Sequence, residues 1–144
     1  MDRNIFDKIK KSGCYNLFIG LESGCNNTLK HMNKGFTKEE AQIFFQKLND
    51  TGLFFGISLI TGYPGETDED FKESLDFVIN NKNLIPKIEQ INPFTYYDGT
   101  NTLKSNDYKI NSVSLEKMNI FINEIKKNNF KYTNAFLGNL IEKN

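Results

Sequence analysis

Residues 53–80 read LFFGISLITGYPGETDEDFKESLDFVIN, and this stretch decides the fold. Leu53 to Thr61 is a compact apolar run of strand length. The turn Gly62-Tyr63-Pro64-Gly65-Glu66-Thr67 follows without a spacer. Thr67 is placed to cap a helix over 68–81, with Asp68, Glu69 and Asp70 in the first turn, where the helix dipole favours negative charge. Phe71, Leu75 and Val78 recur at helical spacing and predict the buried stripe. A strand that runs through a glycine-rich turn into an amphipathic helix is one βα unit.

The same grammar extends to both sides. Upstream, residues 15–21 (YNLFIGL) form a second apolar run, followed by the loop GLESGCNN and a short helical turn over Thr28 to Met32. Thr37 and Glu40 have capping-box spacing and predict a helix over 38–51, with Ala41, Phe44, Phe45 and Leu48 inward and Gly52 at its end. Residues 3–12 read as a helix carrying Ile5, Phe6 and Ile9, stopped at Gly13. Downstream, residues 87–94 (KIEQINPF) make a third strand, with Pro93 marking its end. Strand, helix, strand, helix, strand with short connections implies parallel strands. The apolar strands predict cover on both sheet faces. Residues 95–113 read as a polar loop. Ser114 is expected to cap a helix over 115–129 built on Leu115, Met118, Ile122 and Ile125. A short helix is expected around Asn134 to Glu142.

Composition narrows the function classes. The 144 residues fit about one domain, and 18 basic against 18 acidic residues give zero formal net charge. That balance disfavours a dedicated nucleic-acid surface or a surface for anionic membranes. The apolar run at 53–63 is too short to span a bilayer, and the N-terminus MDRNIFDK lacks the layout of a signal peptide. A cytoplasmic protein with no nucleic-acid or membrane partner is expected. The two cysteines, Cys14 and Cys25, cannot make a disulfide framework, a four-thiolate zinc site or a three-cysteine iron–sulfur site.

In parallel α/β folds, function lies at the carboxyl ends of the strands. Two glycine-rich loops sit there, Gly20 to Gly24 and Gly62 to Thr67. Strand alternation puts Phe18 and Gly20 on one face with Glu22, and Gly56 and Ile60 on one face with Ser58. Missing side chains beneath polar groups leave room for a ligand, or they relieve crowding at a curved sheet; spacing alone does not choose. His31 reads as a surface residue, both cysteines as buried or incidental thiols, and Asp68 to Asp70 as helix-start charges. The turn GYPGET lacks P-loop spacing. Tyr96 and Tyr97 are suited either to stacking on a substrate or to anchoring their loop.

The run GLESGCNNTLKHMNKGFTKEEA, followed by LITGYPGETDEDFKESLDFV, resembles the radical S-adenosylmethionine superfamily. The likeness covers roughly residues 10–100. In motif style it is nearest the cobalamin-dependent members, and it also resembles the methylthiotransferases and oxygen-independent coproporphyrinogen oxidases. The resemblance implies an α/β fold, half of a partial (β/α)6 TIM-like barrel with three parallel strands. Residues 1–112 would be the C-terminal portion of that barrel. Residues 113–144 would be its final helix or helices and the start of an extension. It also implies that Glu22, beside Ser23, reaches S-adenosylmethionine. Lys34 would approach the methionine carboxylate and Ser58 the ribose hydroxyls, and Gly62, Pro64 and Gly65 would pack near the adenine through the backbone. Asp98-Gly99-Thr100 resembles a loop common after the third strand, with Asp in place of Pro.

One departure is decisive. The family's [4Fe–4S] cluster is held by Cys-x-x-x-Cys-x-x-Cys, and this chain lacks it. No catalytic residue and no metal ligand is assigned here. The chain is expected to begin inside the helix before the fourth barrel strand. Three functions are compatible with that: a fragment of a radical enzyme, inactive alone; a half-enzyme subunit needing a cluster-bearing N-terminal half or separate chain; or a non-catalytic nucleoside- or partner-binding module. Cobalamin in a longer protein is left open.

Overall fold

A computed structural model describes residues 3–95 and 112–133. The elements run α1 (Arg3–Lys11), β1 (Leu17–Glu22), α2 (Asn26–His31), α3 (Lys38–Asp50), β2 (Phe55–Thr61), α4 (Asp68–Asn80), β3 (Ile88–Pro93) and α5 (Ser112–Lys127). The strands form one parallel sheet in the order β1-β2-β3. This is the α/β half-barrel arrangement expected. A parallel bridge between Ile88 and Tyr132 places the chain after α5 beside the start of β3. Residues 96–111, with Tyr96, Tyr97 and the Asp98-Gly99-Thr100 segment, lie outside the described residues, as does the expected helix at 134–142.

Capping chemistry sets the helix boundaries. Thr37 and Glu40 close a capping box at α3, and Thr67 and Asp70 close one at α4, each worth about 1 kcal/mol. Gly13 ends α1 at φ 83. α3 ends in a paired C-terminal motif, with the Gly52 N–H donating to Asn49 O and the Leu53 N–H to Leu48 O. Gly52 takes φ 68 there, a value at which other residues are strained.

One apolar cluster joins all the longer helices to the sheet. It gathers Phe6 of α1, Ala41, Phe45 and Leu48 of α3, Phe71, Phe77 and Val78 of α4, and Met118, Phe121 and Ile125 of α5. From the strands it takes Leu21, Phe55, Ile57, Leu59, Ile88 and Ile91. Phe45 stacks on Phe55 at 5.1 Å.

Several expectations change. The first strand starts two residues later than expected and includes Glu22; Tyr15 is 88% exposed. Ile5 is exposed rather than buried. α5 begins at Ser112, so Ser114 lies inside the helix, not at its cap. Its buried stripe runs through Met118, Phe121 and Ile125, while Leu115 is exposed. Cover is unequal on the two sheet faces: β2 is buried over most of its length, but the face opposite the core is partly open at β1. Opposite the core face, strand alternation places Phe18, Gly20, Gly56, Ser58, Gln90 and Asn92. Phe18 is 58% exposed, and Asn92 donates to Gln90 on that face.

Candidate functional site

The site is built by two irregularities in otherwise regular elements. The first is at the end of β1. The ladder pairs Gly20 with Ser58 and then Glu22 with Leu59, so the register slips at Leu21. Glu22 takes φ 68, a left-handed conformation that is sparsely populated for a residue with a side chain. The slip turns its carboxylate back over Gly20, where a Cβ would stand 2.3 Å from Oε1. Across the ladder, Ser58 Oγ donates to this carboxylate at 3.4 Å.

The second irregularity ends α2. The Asn33 N–H donates to Lys30 O at 3.0 Å, and the Lys34 N–H to Leu29 O at 3.1 Å. This pair of bonds closes a helix through a left-handed residue, here Asn33 at φ 55. Gly35 follows at φ 71, so Lys34 sits between two left-handed residues and the chain doubles back. Its ammonium lies 3.9 Å from Glu22 Oε1 and 5.7 Å from the centre of the Phe36 ring.

Glu22, Lys34 and Ser58 therefore converge above the glycine gap. Burial pushes the Glu22 carboxyl up from 4.5, opposed by the Lys34 charge and the Ser58 hydrogen bond. All three contacts are at the long limit for their kind, so the carboxylate and the ammonium keep unused hydrogen-bonding capacity. A carboxylate and an ammonium side by side, with a hydroxyl between strands, match the charges of a zwitterionic amino-acid group and a neighbouring diol. On donor chemistry, the residues fit S-adenosylmethionine.

Ser23 is not part of this convergence. It is fully buried, and its hydroxyl accepts the Cys25 N–H at 3.1 Å. Beside it, the Gly24 N–H donates to Ser74 Oγ at 2.8 Å, and a Cβ on Gly24 would meet Phe77 at 2.7 Å. The second glycine of GLESG is thus a packing requirement of α4. Cys25 is buried, with its thiol against Asp70 Oδ1 at 3.3 Å and Glu73 Oε2 at 3.4 Å, and burial raises its pKa. Cys14 donates to Asn16 O. His31 is exposed.

The GYPGET turn stands over the C-terminal end of β2. Gly62 and Gly65 have φ 70 and 85. Pro64 and Gly65 are exposed, and a Cβ on Gly65 would stand 3.6 Å from the His31 ring, so the turn borders the end of α2. Tyr63 donates to His31 O and packs edge-on against Phe94 at 5.0 Å. The residue that organises the turn is Glu66, which the sequence reading passed over. Its carboxylate accepts the Gly62 N–H at 2.9 Å and faces Lys117 of α5 at 3.3 Å. Burial raises the Glu66 pKa from 4.5 against the pull of the Gly62 N–H and Lys117.

The other glycine gap is filled differently. A Cβ on Gly56 would stand 2.4 Å from Glu89 Cγ. Glu89 lies at a register slip between Ile57 and Ser58, and accepts from Asn16, Lys87 and Thr133. Burial would raise its carboxyl, but these bonds and the Lys87 charge bring it below 4.5. This gap is a filled floor beneath the sheet, whereas the gap at Gly20 carries the half-bonded site.

Comparison with known proteins agrees with this architecture. Residues 1–78, more than half of the chain, match the family model described as the radical SAM superfamily, and the chain belongs to that superfamily. Over 133 residues it is 27% identical to a tRNA-2-methylthio-N(6)-dimethylallyladenosine synthase of Alkaliphilus oremlandii, covering 90% of this chain and 27% of that protein. It is 35% identical over 85 residues to a ribosomal protein uS12 methylthiotransferase of Desulforamulus reducens, covering 58% of this chain and 18% of that one. The chain thus spans about a quarter or less of the relatives it matches. These relatives bear methylthiotransferase and synthase names and lend no support to the cobalamin expectation.

The superfamily implies a [4Fe–4S] cluster, and the residues present do not fit one. The chain has two cysteines where three are needed, and one of them is committed to Asp70 and Glu73. Among the described residues no group of three or more His, Cys, Asp or Glu is placed to hold a metal ion. Among the same residues no helix is long and apolar enough to cross a membrane.

Proposed function

We propose that this chain supplies the S-adenosylmethionine-binding side of a radical S-adenosylmethionine enzyme whose cluster ligands lie on other residues, in a longer protein or on a separate chain. The observation that carries the reading is the convergence of Glu22, Lys34 and Ser58 over Gly20. Glu22 receives the ligand's ammonium, Lys34 pairs with its carboxylate, and Ser58 donates to or accepts from a ribose hydroxyl. Gly62, Pro64 and Gly65 offer backbone to the adenine at close range. Ser23 takes a supporting role, holding the loop through the Cys25 N–H.

In this reading the radical chemistry would be supplied by a cluster held on residues this chain lacks. The chain's own groups bind and orient. The half-buried carboxylate and ammonium set the polarity of the amino-acid end, and the left-handed Glu22 is held in place before the ligand arrives, which lowers the ordering cost of binding. Methylthiotransfer is the reaction class that the relatives favour, and their names mention a tRNA and a ribosomal protein. A cytoplasmic setting, and a boundary near residue 112 between barrel and extension, belong to the same reading.

Titration of the isotope-labelled 144-residue chain with S-adenosylmethionine tests it. The expected result is saturable binding with shifts at Glu22, Lys34 and Ser58, abolished by Lys34→Met. Absence of binding at millimolar ligand would overturn the reading.

A further inference from the structure

α5 sends two side chains into a turn that belongs to another βα unit. Ser114 Oγ donates to Gly62 O at 3.1 Å, and Thr61 Oγ1 donates to Ser114 O at 2.9 Å. One turn further along α5, Lys117 Nζ reaches Glu66 Oε2 at 3.3 Å and the carbonyl oxygens of Glu66 and Thr67 at 3.4 Å each. It also faces Asp68 Oδ1 at 3.3 Å and stands 5.4 Å from the centre of the Phe71 ring. Glu66 closes the circuit by accepting the Gly62 N–H.

The burial of this pair is what needs explaining. The Lys117 side chain is 8% exposed and that of Glu66 is 2% exposed. Lysine and glutamate are buried so deeply only when paired, and a pair of apolar residues commonly stabilises a helix contact as well or better. What an ion pair adds is directional control. The hydrogen-bond acceptors of Lys117 all lie within Glu66 to Asp68, so its charge acts on the turn and not on the sheet. Through Glu66 it fixes the amide of Gly62, and Ser114 fixes the carbonyl of the same residue. Both backbone groups of Gly62 are thereby held from α5.

We infer that Lys117 is a positioning residue for the ligand: acting through Glu66, it holds the backbone of Gly62 to Gly65 where that backbone meets the adenine end of S-adenosylmethionine. The inference rests on the functional reading above. It adds a residue far along the chain, on an element that none of the motifs reaches, and it makes the fit of the cofactor turn depend on the docking of α5.

The test uses the isotope-labelled chain in five forms: wild type, Lys117→Met, Lys117→Arg, Glu66→Gln and Asp68→Asn. Without ligand, Lys117→Met should move the amide signals of Gly62 and Gly65 while those of Ile57 and Leu59 stay in place. Its Kd for S-adenosylmethionine should rise by about tenfold or more, one decade of affinity. Lys117→Arg, which keeps the charge, should return the Kd to within about threefold of wild type, and Asp68→Asn, at the exposed partner, should change neither readout. If Lys117→Met does not fold, Glu66→Gln must show the same two changes. Unmoved Gly62 and Gly65 signals with an unchanged Kd, in whichever of the two variants folds, overturn the inference. Failure of the wild-type chain to bind overturns the functional reading instead, and the ligand-free signals still decide whether the clamp sets the turn.

Discussion

The carboxylate of Glu22 occupies the volume that a side chain on Gly20 would take, with Oε1 2.3 Å from the position of a Cβ there. The neighbour in conflict is the far end of a flexible side chain, not backbone. Gly20→Ala should therefore cost little stability, about 1 kcal/mol or less. It should also expel Glu22 from Ser58 and Lys34 and abolish S-adenosylmethionine binding. Urea melts and ligand titration on the same sample check both halves. Retained affinity would show that the gap is only a packing device.

Glu22 also gives the chain a pH signature. Burial raises its pKa above 4.5 in the folded state, so the folded chain holds this proton more tightly than the unfolded chain. The resulting stability is fully present below the unfolded value and is lost as pH rises through the raised folded value. Glu22→Gln removes that loss. The variant should gain on wild type as pH is raised from about 4.5 to neutrality, at the expense of ligand binding, as expected of a group kept for function. Urea midpoints at several pH values measure it. A difference that does not change with pH would contradict the burial of a strained carboxylate.

Two left-handed glycines separate backbone strain from steric conflict. Gly35 has φ 71 with nothing within 4 Å of a Cβ, whereas Gly62 has φ 70 with Ser114 Oγ at 2.1 Å and Ser114 Cα at 2.6 Å. Gly35→Ala should cost about 1–2 kcal/mol, the price of the left-handed conformation alone. Gly62→Ala should add overpacking of about 1–3 kcal/mol against α5. Equal losses in thermal or urea melts would mean that α5 yields freely.

The exposed apolar surface around β1 predicts association. Among the described residues β1 pairs only with β2, and Tyr15 just before the strand and Phe18 on it are 88% and 58% exposed. An uncovered strand edge with apolar neighbours templates further pairing. The 144-residue chain should self-associate at micromolar concentration, and Phe18→Lys should weaken that association. Sedimentation equilibrium decides; a sharply melting monomer at high concentration would count against it.

What the sequence made legible was whatever is written locally. Thr37 with Glu40, Thr67 with the first turn of α4, and Gly13 and Gly52 each act within a few residues, and their elements fall within two or three residues of the expected bounds. Glu22, Lys34 and Ser58 were singled out by the family resemblance, each within its own short motif, and the structure brings the three side chains together. The left-handed turn of Glu22 was hidden, because a register slip arises from pairing with β2 and leaves no compositional mark. The Glu66–Lys117 pair was hidden for the same reason: its members are 51 residues apart. The periodicity of α5 was legible at Met118 and Ile125, with Ile122 packed against the core, but it missed Phe121, which is buried where Leu115 was expected to be.

The bridge between Ile88 and Tyr132 gives the sheet a handed economy of growth. At the β3 side, Tyr132 of the chain itself lies against the first residue of the strand, so the start of that margin is met in cis. At the β1 side, nothing among the described residues does so. The two margins are therefore unequal: among the described residues a strand from elsewhere has the whole length of β1 to pair with, and it arrives next to the loop that carries Glu22.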